Sequence, residues 1–319
     1  MTKKEQQLLI DLKKQASDDF LDMLNSDLGK VTEEQKFCSS DEWFLLGKKY
    51  YEKIKGERAA DKYNAEMVRR CFTLAALSGK SKYQKLLSDC YFNGLFGKGE
   101  KYDEEGMYYL ELAADIDDAP ELYTNMALRY LYGKGVAKDS LKAFHLFKVA
   151  ADIGKDGVAA RYVGEYYDGT IEEESIKESQ KDACEYYKLS AEQGDSYGQC
   201  LYGKELYSGK NVPQDYDKAF EFFTKSAEQN DPNGIFMQAQ CIWFGFGVNE
   251  DKQRAFELFK KAAELGSAQG ALDAGKALYL GEGTQKNVEQ ALVYFEKSAA
   301  GGIAEAKDAI EICRKEIEQ

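Results

Sequence analysis

The sequence predicts an all-α protein built as a solenoid, in which pairs of helices repeat along the chain. Two observations predict this fold. Residues that favour a helix start recur at intervals near 36 positions, and fifteen positions after each one comes a residue that favours a helix end. The pairs are Asn64 and Gly79, Asp139 and Gly154, Ser179 and Gly194, Asp215 and Asn230, Asp251 and Gly266, and Asn287 and Gly302. A fixed period of this length is typical of stacked helical hairpins.

The first residue of each pair is Asp, Asn or Ser. Their short side chains can accept hydrogen bonds from the unpaired backbone N–H groups of a helix's first turn, so we expect each of them to begin a helix. The closing residue is glycine in five pairs and asparagine in one, the residue types that tolerate the left-handed turn after a helix. This helix is the second of each predicted hairpin.

Apolar residues within the second helices recur at offsets of 4, 8, 11 and 12 from the cap, which share one face of a helix. The residue at offset 4 has a small or branched side chain: Val68, Ala143, Ala183, Ala219, Ala255 and Ala291. Offset 8 is aromatic: Phe72, Phe147, Tyr187, Phe223, Phe259 and Phe295. Offsets 11 and 12 are alanine or serine throughout. The pattern predicts a buried stripe with close helix packing.

The first helices follow a matching rule, with a small residue five or six positions before their closing glycine. These residues are Gly164, Gly203, Ala239 and Gly275. A glycine inside a helix costs nearly 1 kcal/mol relative to alanine, so its recurrence indicates a close contact there. Pro120 and Pro232 are expected to begin first helices, where a missing N–H costs nothing.

The combined pattern is LG-x-x-LY-x-G, a short loop, D-x-x-x-A-x-x-x-(F/Y) and AA-x-x-G. Clear copies are LYGKELYSGKNVPQDYDKAFEFFTKSAEQN and DAGKALYLGEGTQKNVEQALVYFEKSAAGG. This pattern resembles the Sel-1-like repeat, a relative of the tetratricopeptide repeat. The resemblance implies a right-handed α/α superhelix of about seven helix pairs, with capping helices at both ends.

The sequence departs from the family pattern in two places. The copy at residues 83–118 lacks a cap in register and has Gly106 where alanine is usual, and residues 169–180 form an acidic insertion. The cysteine pairs that a secreted branch of the family carries in every repeat are missing from this chain.

The predicted organisation has three parts. Residues 1–40 form an N-terminal helical cap, residues 41–303 the repeat array, and residues 304–319 a C-terminal capping helix. The expected repeats span 41–80, 81–118, 119–155, 156–195, 196–231, 232–267 and 268–303.

The composition bears on partners and location. A net charge of −13 and a pI near 4.9 disfavour nucleic acid and anionic lipid, so neither is expected as a partner. The N-terminal residues lack the uninterrupted apolar core of a secretory signal, and no stretch has transmembrane length. Seven cysteines without regular pairing are typical of reduced thiols, so we expect a cytoplasmic protein.

Residues with catalytic or metal-binding patterns are not found in the sequence. The sole histidine, His145, falls at an expected solvent-facing position and has no spaced cysteine partners for zinc. The Gly-x-Gly pairs at Gly133, Gly245 and Gly281 lack a third glycine and a preceding strand, so they are interpreted as repeat turns. We therefore predict no enzyme activity, no metal and no cofactor.

The candidate binding residues lie on the first helices, which the resemblance implies line the concave side of the superhelix. Some polar residues of the first helices lie outside the predicted buried pattern. They are Arg129, Lys204, Glu205, Gln240 and Lys276. Tyr132, Phe244 and Leu280 directly precede closing glycines, and Trp243 precedes Phe244. These four either anchor a partner or pack on the adjacent second helix.

The function predicted from these features is a non-enzymatic scaffold or adaptor that holds a protein or peptide, preferably basic, on the concave face. One alternative is an enzyme or small-molecule binder, because some secreted relatives have been proposed as hydrolases. Another is an exported effector that acts through protein binding.

The cap assignment can be tested by changing Asp215→Ala. Loss of the side-chain acceptor is expected to lower the free energy of unfolding by about 1 kcal/mol. Chemical denaturation measures the change, and Asp215→Asn is the control because it keeps an acceptor. An equal loss in both variants would contradict the assignment.

Overall fold

The computed structural model describes residues 39–55, 62–117 and 119–318, and within these ranges every regular element is an α-helix. The helices are α1 Ser40–Lys55, α2 Lys62–Ala76, α3 Ser81–Phe92, α4 Glu100–Ala114, α5 Pro120–Tyr132, α6 Ser140–Asp152, α7 Gly157–Tyr167, α8 Gln180–Glu192, α9 Ser196–Ser208, α10 Tyr216–Glu228, α11 Pro232–Phe244, α12 Lys252–Glu264, α13 Ala268–Leu280, α14 Val288–Ala300 and α15 Glu305–Ile317. The predicted N-terminal cap, apart from its last two residues, lies outside the described residues.

The chain divides into two compact units, Met1–Asp139 and Ser140–Gln319. In the first unit, helices α1 to α5 each pack on the next along the chain. In the second unit, helices α6 to α15 do the same, and first helices of neighbouring hairpins also touch, α7 with α9 and α9 with α11. Each unit is a stack of helical hairpins, which confirms the predicted all-α solenoid.

Four of the six predicted caps are confirmed by their hydrogen bonds. The side chains of Ser179, Asp215, Asp251 and Asn287 each accept from the N–H three residues later. Helix α6 begins at Ser140, directly after the predicted cap Asp139. Left-handed residues follow the second helices at five of the six expected sites: Gly79, Gly194, Asn230, Gly266 and Gly302.

Two of these assignments are wrong. Asn64 is not a cap, because α2 already begins at Lys62. Asn64 is only 8% exposed, so its side chain belongs to the packed part of the first turn and not to an open helix end. After α6, the left-handed residue is Lys155 (φ 53°) and not Gly154.

A second set of caps was missed by the sequence analysis, because it begins the first helices. The side chains of Asp156, Asp195, Asp231 and Ser267 accept hydrogen bonds from N–H groups in the first turns of α7, α9, α11 and α13. Both helices of these hairpins therefore have a fixed starting point. At α1, the Glu42 carboxylate accepts from the N–H of Ser39, and the Ser39 hydroxyl oxygen accepts from the N–H of Glu42. This reciprocal pair is a capping box.

The predicted stripe of the second helices forms the core. Every residue at offsets 4 and 8 is buried, and Ala143, Phe147 and Phe223 have no exposed surface. The C-terminal helix α15 also packs inward through Ala306 and Cys313, which are both fully buried.

The small residues of the first helices lie directly against the offset-8 aromatic rings. A Cβ atom added at Gly203 would lie 2.6 Å from the ring of Phe223, and one at Gly275 would lie 2.7 Å from Phe295. The same contact joins Gly164 to Tyr187 and Gly47 to Phe72. In the divergent copy the partners are exchanged: Gly106 of α4 lies against Phe92 of α3, which explains the glycine found where alanine is usual.

The Gly-x-Gly loops have a physical role that excludes the phosphate-loop interpretation. The first glycine takes the left-handed conformation that ends the helix, as Gly245 does after α11 (φ 74°). The second glycine approaches the backbone of the preceding hairpin: a Cβ atom at Gly247 would overlap the carbonyl oxygen of Tyr216 in α10. Gly135 and Gly283 make the same approach to Asp103 and Lys252. These loops join neighbouring hairpins.

The junction of α7 with α9 uses an ion pair instead. Arg161 Nε donates to Asp195 Oδ2 at 3.1 Å, and Arg161 Nη1 donates to Glu165 Oε1 at 2.8 Å. Asp195 also caps α9, since its Oδ2 accepts from the N–H of Gly198. The side chains of this group are only 11–14% exposed, so solvent screens them weakly.

Because of the glycine–ring contact, we expect an alanine at position 203 to destabilise the protein, although alanine favours a helix more than glycine does. Gly203→Ala should favour the helix by about 1 kcal/mol, but the added methyl overlaps the buried ring of Phe223. We expect a net loss of about 1–3 kcal/mol in the free energy of unfolding, measured by urea denaturation.

Ala239→Gly, at the corresponding position of α11, serves as the matched control. It should lose about 1 kcal/mol from backbone freedom and about 1 kcal/mol more from the buried methyl group that it removes, with no steric overlap. Stabilisation by Gly203→Ala would show that the contact does not constrain the packing.

Candidate functional site: a cleft between two first helices

A cleft of about 390 Å³ opens between α11 and α13, the first helices of two consecutive hairpins. Its lining residues come from these two helices, from α12 and from the loop after α13. They are Gln240, Trp243, Phe244, Phe259, Gln269, Asp273, Lys276, Ala277, Leu280 and Glu282. The cleft therefore lies on the first helices, the elements on which the sequence analysis placed its candidates.

One wall of the cleft is aromatic, and its residues differ in exposure. Trp243 is half-buried, with its ring 5.7 Å from that of Phe259 and the ammonium group of Lys252 5.2 Å above it. Phe244 is the last residue of α11 and is 55% exposed, with its ring 5.8 Å from Phe246. Trp243 thus forms part of the core edge, while Phe244 remains open to a partner.

The residues directly before the closing glycines keep more than half of their surface open to solvent. Tyr132, Phe244 and Leu280 are 58%, 55% and 61% exposed. Each is the last residue of its helix. Phe244 and Leu280 line the same cleft, so two large apolar side chains face its opening.

The polar groups of the cleft centre on Asp273. Gln240 Nε2 of α11 donates to Asp273 Oδ2 of α13 at 3.4 Å, which links the two helices across the cleft. Within the described part of the chain, Asp273 forms no salt bridge. Burial raises the pKa of this carboxyl group, against the lowering effects of the Gln240 hydrogen bond and of nearby Lys276.

The other charged residues of the cleft are already paired. Lys276 Nζ lies 2.8 Å from Glu305 of α15, and Lys252 Nζ lies 2.9 Å from Glu282. These pairs are partly exposed and contribute little stability, but they neutralise the two ends of the cleft. Among the described residues, Asp273 is therefore the cleft carboxylate without a salt bridge, although the charge of nearby Lys276 also acts on it.

Four of the eight predicted site residues meet in this cleft: Gln240, Trp243, Phe244 and Lys276. Lys204 and Glu205 lie on α9, outside the cleft, and Glu205 Oε2 accepts from Asn211 Nδ2 at 2.7 Å. Arg129 and Tyr132 lie on α5 in the other unit. The half-buried guanidinium of Arg129 covers the ring of Phe92 and donates to Asn125, so its visible role is packing.

Asp273 is the site residue that the sequence analysis missed. It stands two positions before Gly275, where the sibling first helices have Tyr162, Leu201 and Met237. A carboxylate at a position otherwise occupied by large, mainly apolar side chains is the signal that could have identified it.

A second cavity, of about 450 Å³, lies among α8, α9 and α10. Its lining includes Tyr202, Phe222 and two lysines, and each lysine is paired within its own helix end: Lys218 with Asp215 at 2.8 Å and Lys188 with Glu192 at 3.8 Å. The cavity thus presents neither an uncompensated charge nor a pair of exposed apolar side chains, and the α11–α13 cleft is the better candidate.

The lining of the cleft lacks the common nucleophilic side chains. The α11–α13 cleft contains no serine, cysteine or histidine. His145 is exposed on α6, as expected from its position. The six described cysteines are buried free thiols, and burial raises the pKa of Cys200 and Cys241 to about 12. The described ranges contain no cluster of three or more potential metal ligands.

Comparison with known proteins identifies the family. The Sel1 repeat model matches residues 81–118, 120–155, 157–195, 196–231, 234–267 and 268–303. The chain belongs to the Sel1 repeat family. No curated protein matches it in sequence.

Two solved structures share the fold. A Sel1 repeat protein from Oxalobacter formigenes is 21% identical with a TM-score of 0.62, covering 71% of this chain and 86% of its own. The protein c5321, a protective antigen of uropathogenic Escherichia coli strains with an SLR fold, is also 21% identical, with a TM-score of 0.56, covering 95% of this chain and 72% of its own. At these identities the similarity shows the fold alone.

In the part of the chain that the structure describes, no helix combines the length and the apolar composition needed to cross a bilayer.

The buried carboxyl of Asp273 predicts a pH-dependent stability effect. Because its pKa is higher in the folded than in the unfolded state, the folded protein holds this proton more tightly, and ionisation of Asp273 lowers stability as the pH rises between the two values. Asp273→Asn should therefore raise the free energy of unfolding at pH 7 and lose this advantage at acidic pH.

Urea denaturation of both proteins between pH 4 and pH 7 measures this difference. Asp217→Asn, an exposed residue near the start of α10, should leave the curve unchanged. A destabilising effect of Asp273→Asn at pH 7 would show that the carboxylate contributes to the fold.

Proposed function

We propose that this protein is a non-enzymatic scaffold that binds a protein or peptide partner through the face formed by its first helices. Proteins of the Sel1 repeat family typically act in protein interactions, which supports the general function. The single observation that carries the specific proposal is the α11–α13 cleft. It combines two exposed apolar side chains, Phe244 and Leu280, with polar groups of Gln240 and Asp273.

The cleft has the features of a recognition site. Large apolar side chains that protrude from a rigid element provide most of the affinity in protein interfaces, and surrounding polar groups fix the orientation of the partner. Both helices of the cleft are capped, α11 by Asp231 and α13 by Ser267, and both pack on second helices behind them. The site is therefore formed before the partner arrives, which lowers the entropic cost of binding.

We place this activity in the cytoplasm. The six described cysteines are free thiols in the core, a state that a reducing compartment preserves. The remaining candidate residues, Arg129, Tyr132, Lys204 and Glu205, lie outside the cleft and would take part only in an interface that extends beyond it.

Affinity capture from native lysate, followed by quantitative mass spectrometry, tests the proposed function. Phe244→Ser with Leu280→Ser removes both apolar side chains from the cleft. A matched control replaces Ile153 and Val293, which are 78% and 51% exposed elsewhere in the same unit, by serine. The intact protein and the control should recover a partner that the cleft variant loses by tenfold or more, on the order expected for two interface anchors.

Equal recovery of all proteins by the three baits would contradict binding at the cleft. Circular dichroism and thermal unfolding of each bait show whether it is folded. The enzyme alternative predicts instead that the intact protein converts a component of the metabolite extract, and that the cleft variant does not.

A further inference from the structure

The charge distribution of the α11–α13 cleft identifies the class of side chain that it can accept. Asp273 lies half-buried in the cleft lining, with Gln240 as its hydrogen-bond donor at 3.4 Å. A carboxylate can accept several hydrogen bonds, so one long contact leaves most of its capacity unused. A cation that enters the cleft would find an acceptor there whose charge is weakly screened by solvent.

The basic groups near the cleft form their ion pairs with other carboxylates, so the charge of Lys276 compensates Asp273 only in part. The ammonium group of Lys276 lies 2.8 Å from Glu305, and that of Lys252 lies 2.9 Å from Glu282. An anionic ligand would have to break one of these pairs and would also meet the carboxylate of Asp273. The cleft therefore discriminates against acidic partners and in favour of basic ones.

The apolar residues set a second requirement. Phe244 at the end of α11 and Leu280 at the end of α13 are more than half exposed, and both face the cleft that contains Asp273. A volume of about 390 Å³ accommodates a few side chains and not a folded domain. The occupant must carry an apolar group close to its positive charge, which short peptide segments provide through neighbouring side chains.

We infer that the α11–α13 cleft binds a peptide segment in which an arginine or lysine stands close to a bulky aliphatic residue. The basic side chain pairs with Asp273, and the aliphatic side chain contacts Phe244 and Leu280. Gln240 acts as a positioning residue, because its amide holds the Asp273 carboxylate from the opposite helix. This inference rests on the proposed function and adds the chemistry of the partner to it.

Selection from a phage-displayed library of random dodecapeptides tests the inference on the full chain. Enriched sequences should share a basic residue within a few positions of Leu, Ile or Met. Synthetic copies of them, measured by isothermal titration calorimetry, should bind Asp273→Asn about tenfold to a hundredfold more weakly, the effect of losing one hydrogen-bonded charge. Leu280→Ala should also weaken binding, and affinity for the intact protein should fall as salt increases.

Asp217→Asn is the matched control, since it removes one negative charge outside the cleft and should leave the affinity unchanged. Peptides that lack a basic residue, or that bind Asp273→Asn as tightly as the intact protein, would overturn the inference. If such peptides still respond to Leu280→Ala, the cleft binds peptides by other means and the proposed function stands. A library that yields no enriched sequence on the intact protein would overturn both.

Discussion

The close contact between a first-helix glycine and a second-helix aromatic ring is the constraint on which the repeats depend. It brings the two helices of a hairpin together at Gly203 and Phe223, and again at Gly275 and Phe295. Glycine weakens a helix, so the contact persists because the buried ring gains more than the backbone loses. With the spacing of each hairpin fixed in this way, neighbouring first helices repeat at a regular distance and grooves can form between them.

The periodic features of this fold could be predicted from the sequence, because each repeat places the same physical requirement at the same position. Caps such as Asp251 and ring positions such as Phe259 were found for that reason. The wrong or missing assignments arise where the repeat period does not determine where a helix begins. Asn64 has the right residue type and spacing, but α2 starts two residues earlier. The caps of the first helices, such as Asp195, were missed because only the second helices were aligned.

The candidate site was only partly predictable. Spacing identifies which side chains leave the core, and two residues selected in this way, Phe244 and Gln240, line the α11–α13 cleft. It does not tell which of these side chains converge, because convergence depends on the distance between two helices that are 36 residues apart in sequence. Asp273 was overlooked for a related reason: the sibling residues Tyr162, Leu201 and Met237 suggest a packing position, and the sequence does not show that this position lines the α11–α13 cleft.

The two kinds of junction in the second unit give it an uneven response to mechanical load. The joints made by Gly247 and Gly283 are backbone contacts of very short range, so a small separation abolishes them and little extension is tolerated. The joint of Arg161 with Asp195 is electrostatic, and its attraction falls slowly with distance. A solenoid transmits force from neighbour to neighbour. Under tension, the α7–α9 junction is therefore expected to stretch elastically, while the junctions on either side of α11 hold their shape until they break.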